Sequence, residues 1–295
     1  MPELPEVETI RRGLAPALEG ATIAQLEIRR PDLRYPFPER FTGRLMGQRI
    51  ESVTRRAKYL LLALSGGETL IIHLGMSGRL SLRKGQADEV KTVGEYIYNT
   101  GALPQHDHVF IGLSNGASVV YNDPRRFGFM LLAESGSLAD HKAFAGLGVE
   151  PLSPGLTSNY LAAKAAGKSA DMKSFLLDQR IVGGLGNIYV AEALFRSGIS
   201  PRRTAGTLAR ANGSPSNRAE KLVPMIKDVL EDAIAAGGSS LRDYRHTDGN
   251  EGRFQEAFAV YGREGQPCVR PGCGGTVKRL VQAQRSTFYC GDCQR

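Results

Sequence analysis

All four cysteines of this 295-residue chain fall between Cys268 and Cys293, leaving the long stretch before them with none. A secreted protein stapled by disulfides spreads its cysteines among the segments to be joined. A compact cluster in an intracellular chain points to a metal instead. The spacing Cys268-x4-Cys273-x16-Cys290-x2-Cys293 sets two close pairs on either side of a hairpin-length spacer. Such pairs can bring four thiolates tetrahedrally around one zinc ion. The spacer TVKRLVQAQRSTFY alternates apolar and polar residues about a polar tip, as a β-hairpin does. Free thiols or a redox pair are the plainer alternatives, and clustering at hairpin spacing argues against both. With four thiolates bound, no position stays open for a substrate, so the zinc is expected to hold shape. Arg285 falls at the hairpin tip. Its plainest reading is a solvated charge; a basic residue on a rigid finger also suits a phosphate.

The length predicts two or three domains. Hydrophobic residues at 41% and charged residues at 23% are ordinary for a soluble protein. No stretch reaches the roughly 18 apolar residues of a membrane helix. The start MPELPEVET is acidic and Pro-rich, unlike a signal peptide, so a cytoplasmic location is expected. The net charge of +8 suits a polyanionic partner, because Lys and Arg on phosphates release counterions. Charge alone is weak evidence, since many basic proteins bind no nucleic acid.

Residues 2 to about 19 read as a helix, with Val7, Ile10, Leu14 and Leu18 at helical spacing. Pro5 suits its first turn, and Glu3, Glu6 and Glu8 precede Arg11 and Arg12 as the helix dipole prefers. Residues 21 to about 133 read as β-structure. AKYLLLAL, a Ser-Gly-Gly turn and ETLIIHL form a hairpin, and HVFIGLS with ASVVYN forms another strand pair. Leu60, Leu62 and Leu64 share one strand face and Tyr59, Leu61 and Ala63 the other, which predicts burial on both sides in a sandwich. The composition shifts to Pro and Gly at EPLSPGL, where a domain boundary is placed. Helices follow at MKSFLLDQ, at IYVAEALFRSG and over about 217–236, with a polar segment over about 202–216. Residues 237–256 read as a long mobile loop. Asn187, ending GGLGN before a helix, reads first as an N-cap, and the amides of such a helix start also suit a phosphate.

PELPEVET has a plain reading as a helix start with acidic caps. It also has a chemical one. Removal of Met1 would expose the secondary amine of Pro2, which can attack an electrophilic carbon and form a Schiff base. An α-amino group titrates near 8 and a lysine near 10.4, so more of the former is free base at neutral pH. Glu3 and Glu6 would stand beside it for proton transfer. Lys58 heads the apolar strand face of Leu60, an expensive place for an unpartnered charge; a snorkelling strand lysine is the bland reading.

Ordered segments through nearly the whole chain resemble the formamidopyrimidine-DNA glycosylase (Fpg/MutM) family. They are MPELPEVET, RRAKYLLL, HLGMSGRL, HDHV, NDPRRFG, DQRIVGGLGNIYVAEALF, GGSSLRDY, VYGREGQPC and the cysteine module. The resemblance implies an α+β multidomain fold. Its parts are an N-terminal helix plus β-sandwich over 1–150, a helix–two-turns–helix domain over 151–237, a lesion-recognition loop and connector over 238–263, and a β-hairpin zinc finger over 264–295. It implies a monomeric bifunctional DNA glycosylase and AP lyase of base excision repair. The enzyme would remove oxidised purines such as 8-oxoguanine and formamidopyrimidines from double-stranded DNA, with β,δ-elimination after a Schiff base at Pro2. Glu3 would assist sugar-ring opening, Glu6 would be a second acid, and Lys58 and Arg285 would support catalysis. Met76, Arg125 and Phe127 would fill the void left by a flipped base, a job suited to a thioether, a guanidinium and a ring. The resemblance further marks His106, Arg126, Lys173, Asn187 and Arg285 as DNA contacts, and the cysteines as ligands of one structural Zn2+. From residues alone Met76 and Phe127 would more often be core.

Three other readings share parts of this pattern. An endonuclease VIII-like pyrimidine glycosylase would share fold, amine and zinc; the start, the DPRRFG loop and the long segment after GGSS favour the purine enzyme. A non-enzymatic DNA-binding protein on the same scaffold would be expected to lack Pro2, Glu3 or Lys58. A zinc-ribbon transcription module leaves the first half of the chain unexplained.

Overall fold

The computed structural model describes residues 2–84, 103–239 and 253–295. It divides into two compact units. The first comprises residues 1–145 with 236–253, and the second 146–235 with 254–295.

In the first unit, α1 (Leu4–Leu18) begins directly after Glu3 and carries Pro5 in its first turn. Its apolar side, Val7, Ile10, Leu14 and Leu18, is buried as the spacing predicted. Then follow β1 (Ile23–Ile28), the short α2 (Phe41–Leu45), β2 (Ile50–Arg56), β3 (Tyr59–Leu64), β4 (Glu68–His73), β5 (Arg79–Lys84), β6 (Asp107–Leu113), β7 (Ala117–Asn122) and β8 (Phe129–Glu134). They form two four-stranded sheets, β1-β6-β7-β5 and β2-β3-β4-β8. Every pairing is antiparallel, including the β3–β4 hairpin and the β6–β7 pair.

One core joins α1 to both sheets. It takes Leu60, Leu62 and Leu64 from β3, Leu70 and Ile72 from β4, and Val109, Ile111, Val119 and Tyr121 from the facing sheet. This is the expected sandwich. Removing water from each such leucine stabilises the fold by about 1.5–3 kcal/mol. The opposite face of β3 is covered less completely: Leu61 is buried, while Tyr59 and Ala63 are half-buried. The helix α1 packs on β2 and β3, the two strands whose connecting turn holds Lys58.

The second unit contains α3 (Ser158–Ala165), α4 (Met172–Leu177), α5 (Asn187–Ser197) and α6 (Asn217–Ala235), then β9 (Val277–Gln282) and β10 (Arg285–Cys290). The α3 helix lies outside the segments expected to be helical; Thr157 caps it, its hydroxyl accepting from Tyr160 N at 3.0 Å. Two expectations change here. Asn187 is not the N-cap of α5: Gly186 holds the cap position in extended backbone, and Asn187 is the first helical residue. The segment 202–216 is not merely polar, because a short 3-10 turn at Ala205–Leu208 buries Ala205 and Leu208.

β9 and β10 form the expected hairpin, with Gln282 paired to Arg285 across the tip. The tip residues Ala283 and Gln284 take φ of 46° and 60°, the backbone of a two-residue turn matched to strand twist. Most of the expected 237–256 loop lies outside the described residues. No helix among the described residues is long and apolar enough to cross a membrane.

Candidate active site and metal centre

Pro2, Glu3 and Glu6 are all buried at the start of α1. The Glu6 carboxylate turns back and accepts from Glu3 N at 2.8 Å, closing an otherwise unsatisfied N–H of the first turn. Its other oxygen accepts from Ser239 N at 2.9 Å and Ser239 Oγ at 3.0 Å. Gly237 and Gly238, which lead into Ser239, both have left-handed φ, at 76° and 80°. A Cβ on Gly238 would stand 3.2 Å from Glu6. The helix start is thus tied to Ser239, 233 positions along the chain from Glu6.

Lys58 is only 8% exposed. It follows Ala57, which has a left-handed φ of 52°. Arg55 holds that turn, donating from Nη1 to Ala57 O at 2.8 Å and from Nε to Glu8 Oε2 at 3.3 Å. Glu8 also accepts from Arg11 and Arg12. Burial raises the Glu8 carboxyl, but these hydrogen bonds and the Arg11 and Arg55 charges outweigh it and hold it below its ordinary value. A chain of polar contacts therefore fixes the Lys58 turn to the second turn of α1.

Met76, Arg125 and Phe127 emerge from two loops that interlock. Met76 and Phe127 are 36% and 43% exposed, unlike core residues. The Arg125 guanidinium lies over the Phe127 ring, 4.7 Å from its centroid. Beneath them, the fully buried Asp123 accepts from Ser77 Oγ at 2.5 Å, Gly128 N at 2.8 Å and Tyr121 Oη at 3.1 Å. Ser77 Oγ in turn accepts from Arg125 N at 3.2 Å. Gly75, at φ +60°, passes so close that a Cβ would stand 2.3 Å from the Phe127 carbonyl carbon. Only glycine permits that crossing. Arg126 is exposed with a left-handed φ of 54°, its Nη1 3.9 Å from Asp32. His106 is half-buried; its Nε2 is 3.4 Å from Gln105 Nε2, and its carbonyl accepts from Asp123 N at 3.1 Å.

His73 was not singled out in the sequence. Its ring stacks on Phe129 at 5.0 Å and its Nδ1 accepts from Gly75 N at 3.1 Å. Burial, with the Lys58 and Arg34 charges adding to it, pushes the imidazole down to about 4. It is neutral at pH 7, with Nδ1 as acceptor and Nε2 carrying the proton.

In the second unit, Lys173, expected as a DNA contact, is fully buried. Its Nζ donates to Ser286 O at 2.8 Å and Thr287 Oγ1 at 2.6 Å. Asn187 Nδ2 donates to the same Ser286 O at 3.0 Å, and no described atom bonds its buried Oδ1. Both side chains hold the strand just beyond Arg285, which is itself exposed. Glu192, another unread residue, is buried in α5 and accepts from the N–H groups of Ala259, Val260 and Tyr261 at 2.8–3.0 Å. It pins the segment leading into the cysteine module.

The four Sγ atoms lie within 4.8 Å of one another, with Cys268–Cys293 at 3.8 Å and Cys273–Cys290 at 3.7 Å. Sulfurs at about 2.3 Å from a central zinc stand about 3.8 Å apart, whereas a disulfide would hold them at about 2.05 Å. The donors fit zinc and no disulfide is formed. One structural zinc per chain belongs here, held by Cys268, Cys273, Cys290 and Cys293. Around it pack Phe195, Val260 and Val277.

Three family models match the chain. They are the formamidopyrimidine-DNA glycosylase N-terminal domain over residues 1–130, its H2TH domain over 147–245, and the zinc finger found in FPG and IleRS over 265–295. A formamidopyrimidine-DNA glycosylase of Ruegeria pomeroyi is 55% identical over 295 residues, covering 100% of both chains. The MutM (Fpg) protein of Thermus thermophilus superposes with a TM-score of 0.80 at 38% identity, covering 99% of this chain and 98% of the other. A Lactococcus lactis Fpg mutant in complex with Fapy-dG-containing DNA gives a TM-score of 0.82 at 30% identity, with both chains fully covered (100%). From its N-terminal helix to its four cysteines, this chain belongs to the formamidopyrimidine-DNA glycosylase family.

Proposed function

We propose that the protein is a base-excision-repair glycosylase and AP lyase that removes oxidised purines from double-stranded DNA in the cytoplasm. One observation carries the reading: Pro2 stands directly before a helix start that keeps two carboxylates, Glu3 and Glu6, out of water. DNA carrying Fapy-dG or 8-oxo-G in complexes of similar Fpg and MutM proteins supports an oxidised purine, while a Lactococcus lactis Fpg complex with an oxidised pyrimidine makes the choice of base one for the cleavage test.

With Met1 removed, the Pro2 nitrogen is a secondary amine. The damaged nucleotide must leave the stack before its sugar can be reached. The amine attacks C1′ and the glycosidic electron pair leaves with the base, which takes up a proton. The nitrogen sheds its own proton, and the sugar ring opens to an iminium as the ring oxygen accepts a proton that Glu3 supplies. Loss of the C2′ proton expels the 3′ phosphate; loss of the C4′ proton then expels the 5′ phosphate. A one-nucleotide gap remains. Meanwhile Met76 and Phe127 occupy the vacated stack, and the Arg125 guanidinium hydrogen-bonds the orphaned cytosine. Lys58 supports the reaction at the sugar. Asn187 and Arg285 take backbone phosphates, and the zinc keeps the hairpin carrying Arg285 in shape.

The test is a duplex with 8-oxoguanine opposite cytosine, incubated with and without borohydride. Strand cleavage and a trapped adduct on the N-terminal peptide are expected, with trapping sharply reduced by Pro2→Gly. An adduct mapped to Lys58 would overturn the mechanism. Faster cutting of thymine glycol than of 8-oxoguanine would overturn the lesion class.

A further inference from the structure

The second unit carries a cavity of about 650 Å³ that the repair chemistry does not use. Arg202, Arg203, Lys278 and Arg295 line it, with the hydroxyl residues Thr204 and Thr207. No aspartate or glutamate lines it. Among the described residues none of these four cations pairs with a carboxylate. The Arg203 Nε is buried and bonds no acceptor there. A buried donor left open is costly, and crowding like charges adds to that cost.

The walls are fixed by the backbone. Arg203 O accepts from Met172 N at 2.7 Å, Arg295 N donates to Gly198 O at 3.0 Å, and Lys278 sits on β9 opposite Tyr289. The cations are therefore held together by the fold. Planar guanidinium forks, a mobile ammonium and hydroxyl donors form the donor set that clustered phosphate oxygens satisfy.

We propose that this cavity is a binding site for clustered phosphate groups, distinct from the damaged-nucleotide site. The same chemistry has two sources, a free oligophosphate and the backbone of a nucleic acid, and two arms separate them. The site variant is Arg203→Gln with Lys278→Gln. The control, Lys164→Gln with Lys221→Gln, removes the same charge from exposed positions on α3 and α6. Calorimetry with inorganic tripolyphosphate forms one arm. Anisotropy with an undamaged duplex at fixed salt forms the other. Unchanged zinc content and melting midpoint verify folding; if the double variant unfolds, Lys278→Gln alone replaces it, since Lys278 is exposed.

Loss of about tenfold or more in affinity relative to the control is expected, as two charge-assisted contacts imply. A loss confined to tripolyphosphate identifies a free oligophosphate. A loss confined to the duplex identifies backbone phosphate, and losses in both show that the cavity accepts either. Equal affinities of site variant and control in both arms overturn the proposal. Cleavage of 8-oxoguanine DNA is read separately, so this failure is distinct from failure of the repair reading.

Discussion

Lys173 and Asn187 donate to one acceptor, the carbonyl oxygen of Ser286, at 2.8 and 3.0 Å. Ser286 directly follows Arg285, so two helices of the second unit set the strand on which that arginine stands. Lys173→Met keeps the aliphatic stem but removes the ammonium. It is expected to lower stability by about 2–4 kcal/mol, since the buried Thr287 hydroxyl loses the ammonium and Ser286 O keeps only its bond from Asn187. Affinity for lesion DNA should fall with it, although Lys173 itself is fully buried. Denaturant melts and DNA titrations of the variant check this; wild-type values in both would show that the tie has no mechanical role.

The crossing of Gly75 and Phe127 predicts a severe effect from one methyl group. In Gly75→Ala, the new Cβ meets backbone at 2.3 and 2.4 Å. Backbone cannot step aside as a flexible side chain can, and the φ of +60° is strained for alanine as well. A cost of about 2–4 kcal/mol is expected. The loops of Met76 and Phe127 would separate, slowing excision and shifting the ratio of cutting opposite cytosine and adenine. Unaltered melting and an unaltered ratio would show the loops to be independent.

His73 makes stability depend on pH in a defined window. Its ordinary value is 6.5 and its folded value about 4, lowered by burial and then by Lys58 and Arg34. Between these values the unfolded chain binds the proton and the folded chain does not. The contribution is full above pH 6.5, declines as pH falls, and is gone below about 4. It amounts to about 3 kcal/mol. His73→Gln should flatten the stability profile across that window in urea melts. An identical slope in both proteins would contradict the assignment.

Stripping the zinc with a chelator should disorder the β9–β10 hairpin and weaken lesion-DNA binding by about tenfold or more, because zinc-site binding energy is folding energy. The far-UV signal of the first unit's sheets should survive. Stoichiometric zinc should restore binding. Undiminished affinity in verified metal-free protein would refute the structural role.

Local pattern revealed what local forces decide. The spacing of Val7, Ile10, Leu14 and Leu18 defined α1, alternation defined the β3–β4 hairpin, and the cysteine spacing located the metal. What stayed hidden depends on partners far along the chain. Asn187 reads as a cap until Ser286, 99 residues away, offers its carbonyl. The resemblance marks Lys173 as a DNA contact, and nothing near it in sequence shows that β10, beginning 112 positions on at Arg285, encloses it. Nothing within NDPRRFG itself shows that Ser77 and Gly128 make Asp123 the knot of two loops. Neither periodicity nor propensity encodes such pairings.

The contact of Glu6 with Ser239 spans 233 positions of sequence. At synthesis rates of about 5–20 residues per second, Glu6 waits on the order of ten seconds or longer for its partner. Residues 236–253 rejoin the first unit after the chain has built helices of the second. The unit made first is thus completed by a segment made late. A nascent chain truncated before that segment carries Pro2 and both carboxylates but lacks the contact that closes the helix start. The order of translation therefore delays assembly of the amine's surroundings until the helices of the second unit have been made.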